Sequence, residues 1–89
     1  MSYTIEFSRG AGRQFKALTR QVQLRLKPKI DSLVENPRPR GVEKLAGEED
    51  LYRIRVGDYR VIYQIRDDVL FVLVVKVGDR KEVYRRIDK

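Results

Sequence analysis

The chain has 89 residues, 42% of them hydrophobic and 37% charged, a balance that describes one folded domain with a single core and excludes a disordered segment. Twenty Lys and Arg against 13 Asp and Glu leave a net charge of +7, which points to a polyanionic partner, either nucleic acid or an acidic protein segment. Cysteine and histidine are both absent, which excludes disulfides, thiol nucleophiles, zinc–thiolate sites and imidazole acid–base chemistry, so any catalysis must come from Arg, Lys, Tyr or carboxylates.

Tyr3 to Phe7 alternates apolar and polar residues and predicts a half-buried first strand. The same segment lacks a basic stretch followed by an apolar run, so no export signal is expected. The longest apolar run, Val69 to Val75, is too short to cross a bilayer, and a reducing, cytoplasmic setting without membrane contact is expected. Ser8 is placed to cap a short helix reaching about Leu18, with Phe15 and Leu18 turned inward. Thr19 can cap a second helix to about Glu35, whose apolar stripe is Val22, Leu26, Ile30, Leu33 and Val34. Pro28 falls inside that helix, removes one hydrogen bond and predicts a kink or a break after Lys27, at about 3 kcal/mol. Arg13, Lys16, Arg20, Arg25, Lys27 and Lys29 make the helical surface basic, either simply solvated or following a nucleic-acid backbone.

Asn36-Pro37-Arg38-Pro39-Arg40-Gly41 stops the helix and forms a surface connection. The acidic tip Glu48-Glu49-Asp50 has the composition of a magnesium site, but a turn exposed to water accounts for it and no metal is expected. Leu51 to Arg66 then reads as two strands joined by Gly57-Asp58, a tight turn with positive φ at its first position. Closing that turn pairs Val56 with Tyr59, Arg55 with Arg60, Ile54 with Val61, Arg53 with Ile62 and Tyr52 with Tyr63. One hairpin face is therefore apolar, with Tyr52, Tyr59 and Tyr63 in the core, and the other carries Arg53, Arg55 and Arg60. Like charges directly opposite one another are destabilising, so the arginine face is either merely solvated or built to meet an anion. Past the Arg66-Asp67-Asp68 turn, Val69 to Val77 is a β-branched run predicted to be the central strand, buried on both faces. Gly78-Asp79 breaks it, Arg80 stands just beyond, and Glu82 to Ile87 reads as a helical turn or an edge strand.

No repeat or linker divides the sequence, so residues 1–89 are expected to form one α+β domain. Its predicted order is an N-terminal strand, two helices and a three-stranded antiparallel meander, with the helices on one sheet face and the arginines on the other. Guanidiniums bind phosphate through paired planar hydrogen bonds and stay charged at any physiological pH. Arg53, Arg55, Arg60 and, if the central strand ends near the hairpin, Arg80 therefore suit a phosphodiester, where positive charge stabilises the dianionic transition state. RNA brings its own nucleophile in the ribose 2′-hydroxyl, but a proton acceptor is still required. Tyr84 is a candidate, because neighbouring guanidiniums favour the ionised phenol; stacking on a base and packing the tail onto the sheet are its other readings.

Leu45-Ala46-Gly47, the hairpin from Leu51 to Tyr63, Val77-Gly78-Asp79-Arg80 and Val83-Tyr84 together resemble the RelE/ParE toxin superfamily over nearly the whole chain. Its RelE-like branch implies a ribosome-dependent, metal-independent endoribonuclease without cofactors that enters the decoding site and cuts mRNA through the 2′-hydroxyl. It also implies a cognate RelB-like antitoxin that holds the toxin inactive, with operator DNA met only through the antitoxin complex. By position, the family's basic hairpin residues fall on Arg53, Arg55 and Arg60, its later arginine on Arg80 and its C-terminal tyrosine on Tyr84. Relatives often carry lysine where this chain has Arg53 and Arg55, which leaves the general acid and base open. The alternative within the superfamily is a ParE-like gyrase-inhibiting toxin without ribonuclease activity.

Overall fold

The computed structural model describes residues 2–45, 47 and 50–79. The alternating N-terminal segment forms β1 (Thr4–Phe7). Helix α1 (Arg9–Ala17) starts where predicted, because the Ser8 hydroxyl accepts the Ala11 N–H at 3.1 Å. Helix α2 (Arg20–Asp31) is capped likewise, with Thr19 Oγ1 accepting the Val22 N–H at 3.3 Å, and a single 3-10 turn over Ser32–Val34 follows it. Gln23 Nε2 donates to the carbonyls of Phe15 and Leu18, each at 3.0 Å, so the second helix ties down the carbonyl end of the first.

Pro28 does not break α2, which runs on to Asp31. The proline is exposed, and Leu24, whose carbonyl loses its partner four residues earlier, is 60% exposed. Water can take up that carbonyl, which lowers the penalty below that of a buried helix interior.

Four further strands complete a five-stranded sheet: β2 (Glu43–Lys44), β3 (Leu51–Val56), β4 (Tyr59–Arg66) and β5 (Phe71–Asp79), in the order β1-β5-β4-β3-β2. Strand β1 runs parallel to β5, and the other pairs are antiparallel. The hairpin register is the predicted one throughout, including Arg55 opposite Arg60, and Gly57 takes φ 63° in the turn. Two details differ from expectation. The middle strand is β4, buried on both faces between Arg60 and Tyr63, because β1 adds outside β5. Strand β5 also begins at Phe71, leaving Val69 62% exposed and Leu70 at φ 52° in the preceding turn.

The core lies between the helices and one sheet face. Ala11, Leu26, Ile30 and Leu33 from the helical layer meet Ile54, Val61, Tyr63, Ile65, Val72, Val74 and Val77. Tyr63 is fully buried, and its hydroxyl donates to the Pro37 carbonyl at 2.7 Å, fastening the proline-rich connection to the sheet. Tyr52 and Tyr59 pack against the same core, as their side of the hairpin requires.

Candidate functional site

Strand pairing turns the arginines into an ordered array on the face directed away from α1 and α2. One row across the sheet reads Glu43, Arg53, Ile62 and Lys76, and the next reads Arg55, Arg60 and Gly78. Arg55 is exposed on β3, outside the stretch that β2 covers, whereas Arg60, on the middle strand, is only 3% exposed. A buried guanidinium is costly to desolvate, so its placement beside a second arginine is not a by-product of solubility.

Arg53 is engaged by a residue that the sequence reading passed over. Its Nε and Nη2 donate to Glu43 Oε1 at 3.1 and 2.9 Å. The Arg53 hydrogen bond is the main reason the Glu43 carboxyl is held below its ordinary pKa, and the charges of Arg55 and Arg60 pull the same way. Glu43 thus lies within the field of all three arginines. Its strand is two residues long, too short for any alternation to reveal it.

The far end of the array is fixed by α1. Strand β1 ends opposite Val74, so β5 continues past it with no strand on that side among the described residues. Gln14 fills the gap, its Oε1 accepting the Val77 N–H at 2.8 Å. Beyond Val77, β5 closes with Gly78 opposite Arg60 and Asp79 opposite Tyr59, beside the hairpin turn. Arg80 and Tyr84, the other two sequence-derived site residues, lie outside the described residues, as do Glu48 and Glu49 of the acidic tip. Among the described residues no cluster of carboxylates forms a metal site, and no helix is long and apolar enough to cross a membrane.

The family model for the ParE toxin of type II toxin–antitoxin (parDE) systems matches residues 5–84. The mRNA interferase toxin RelE of Escherichia coli is 35% identical over 88 residues, covering 94% of this chain and 92% of that protein. The chain belongs to the RelE/ParE toxin family. Its fold is that of solved family members. An arginine-substituted form of E. coli RelE in the free state superposes with a TM-score of 0.80 at 34% identity, over 96% of this chain and 93% of that one. The toxin in the RelE–RelB complex of Pyrococcus horikoshii gives 0.78 at 32% identity, over 90% and 97%.

In this RelE/ParE chain a second charged cluster sits at the opposite end of the sheet and holds the fold rather than a ligand. Arg38 forks onto Asp67, with Nη2 to Oδ2 at 2.8 Å and Nη1 to Oδ1 at 3.2 Å, and lies over the Tyr52 ring at 5.1 Å. Tyr52 stacks in turn on Tyr63, with centroids 6.2 Å apart. The Tyr3 hydroxyl donates to Asp67 Oδ1 at 2.7 Å. Hydrogen bonds from Arg38 and then Tyr3 pull the Asp67 carboxyl down to about 2. In the sequence Arg38 belongs to a proline-rich surface connection, and its spacing from Asp67 gives no hint of the pairing.

Proposed function

We propose that this RelE/ParE toxin is an mRNA interferase: a metal-independent endoribonuclease that cuts mRNA in the ribosomal decoding site in the cytoplasm. The observation that carries the reading is the Arg55–Arg60 pair, with Arg53 in the adjacent row, on a sheet face turned away from the helices. Three guanidiniums there match a phosphodiester gaining a second negative charge as it is attacked. The 2′-oxygen forms a bond to phosphorus, the bond from phosphorus to the 5′-oxygen breaks, and a 2′,3′-cyclic phosphate and a new 5′-hydroxyl result. Arg55, Arg60 and Arg80 hold the phosphate, Arg53 does so when it exchanges Glu43 for substrate, and Tyr84 takes the 2′-hydroxyl proton or stacks on the base. The likeness to an E. coli protein named as an mRNA interferase supports the same assignment.

Neutralisation by a RelB-like antitoxin is part of the proposal. Relatives in E. coli and P. horikoshii have been solved as RelBE and RelE–RelB complexes. An antitoxin segment that covers this face must be acidic, because an apolar one would leave guanidiniums desolvated and uncompensated. Operator DNA is then met only through the antitoxin complex.

A translating extract supplied with the purified protein tests the reading. Cuts positioned by the ribosome, ending in 2′,3′-cyclic phosphate, are expected. Intact mRNA together with gyrase trapped on DNA would point instead to the ParE-like activity.

A further inference from the structure

Lys76 is the one basic residue in β5, set within the apolar run Phe71 to Val77, and the strand departs from regular pairing to place it. Up to Tyr63–Val74 the β4–β5 ladder is regular; it then shifts by one residue, so that Ile62 pairs with Lys76 and Val75 is the extra residue of a bulge. Without that bulge Val75 would face Ile62, and Lys76 would lie opposite Val61, in the apolar core. The shift moves Lys76 to the arginine face and returns Val77 to the core, where it is 3% exposed. Bulges re-aim side chains in this way, and an unpaired ammonium under the helices would be prohibitive.

On the arginine face Lys76 is half-buried and makes no ion pair among the described residues. Gly78, two residues on, is opposite Arg60, so Lys76 is the diagonal neighbour of Arg60, at about 7–8 Å between backbones. That is within reach of a lysine side chain and a phosphate bridging the two. Because β1 stops opposite Val74, no strand among the described residues flanks Lys76 on its other side. The bond from Val77 N–H to Gln14 steadies the backbone immediately after it.

We propose that Lys76 is the general acid of the cleavage reaction, an inference that rests on the ribonuclease reading above. Departure of the 5′-oxygen requires a proton, and the arginines cannot give one up at neutral pH. In the step, the 2′-oxygen bonds to phosphorus as its own proton passes to the base. The phosphorus–O5′ bond breaks with its electron pair going to O5′, and the Lys76 ammonium gives that oxygen a proton. Lys76 is left as a neutral amine, which regains a proton from water.

The test compares two synthetic mRNAs in translating ribosome complexes, one ordinary and one with sulfur replacing the 5′-oxygen at the cut, whose thiolate leaves without protonation. Lys76→Arg keeps the charge and loses the proton donor, and thermal melting checks that it folds. On ordinary mRNA it should cut about 100-fold or more slowly than the unaltered toxin, in the range of lost general-acid catalysis. On the sulfur-substituted mRNA it should cut at the unaltered rate. Equal slowing on both substrates, or no slowing on the ordinary one, overturns the assignment. Failure of the unaltered toxin to cut either mRNA would instead remove the ribonuclease reading itself.

Discussion

Arg53, Arg55 and Arg60 were legible as individual residues, because period-2 alternation and the Gly57-Asp58 turn together fix which side chains share a face. Glu43 and Asp67 were not, since each meets its arginine through a contact that no local pattern encodes. Both make predictions. Glu43→Gln removes the anion that engages Arg53 at 2.9 Å; if that pair competes with substrate, the variant should bind short RNA more tightly in a filter assay at fixed salt. Asp67 has its carboxyl pulled from 3.8 to about 2, and a depressed carboxylate contributes stability above its unfolded value that is lost as pH falls through its folded one. The thermal midpoint should therefore drop more steeply between about pH 4 and pH 2 in the native chain than in Asp67→Asn, which should also melt lower at neutral pH. Tyr63→Phe leaves the Pro37 carbonyl without its buried donor and should cost about 1 kcal/mol in denaturant unfolding, with no effect on cutting.

At the level of elements, both helices were readable from their Ser8 and Thr19 caps and apolar stripes, and both hairpin strands from alternation. What sequence could not supply was the order of strands. A continuous apolar run signals burial on two faces but not which neighbours bury it, and β5 proved interior rather than central once β1 joined it in parallel. The bulge was equally silent, since the extra residue, Val75, is as apolar as those around it. Two elements invite tests. Gly57→Ala forces a side chain into φ 63° and sets its Cβ 2.8 Å from the tip of Arg25, which can swing aside; the backbone penalty remains, and unfolding should ease by about 1 kcal/mol. Gln14→Leu removes the acceptor of the Val77 N–H where β5 outruns β1. Amide exchange at Val77 should accelerate in that variant and stay slow in Gln14→Glu, which keeps an acceptor oxygen.

At the scale of the molecule, the described residues gather positive charge on two surfaces of different character. The helical surface carries solvated lysines and arginines on exposed positions such as Arg13, Lys16 and Arg20. The opposite sheet face concentrates Arg53, Arg55, Arg60 and Lys76, one of them buried and one tied to a carboxylate. This division fits the proposed phosphate site: the helices and Tyr63 stabilise one side of the sheet, leaving the other to carry charge. It also makes the face sensitive to screening, so association with an acidic antitoxin segment should slow as salt rises. The most direct test of the central claim is the rate of mRNA cutting by an Arg55→Ala, Arg60→Ala variant in a translating extract, measured alongside its thermal melt. A cooperatively folded protein that cuts at least about 100-fold more slowly is expected; a folded variant cutting at the rate of the unaltered chain would rule the arginine face out as the site.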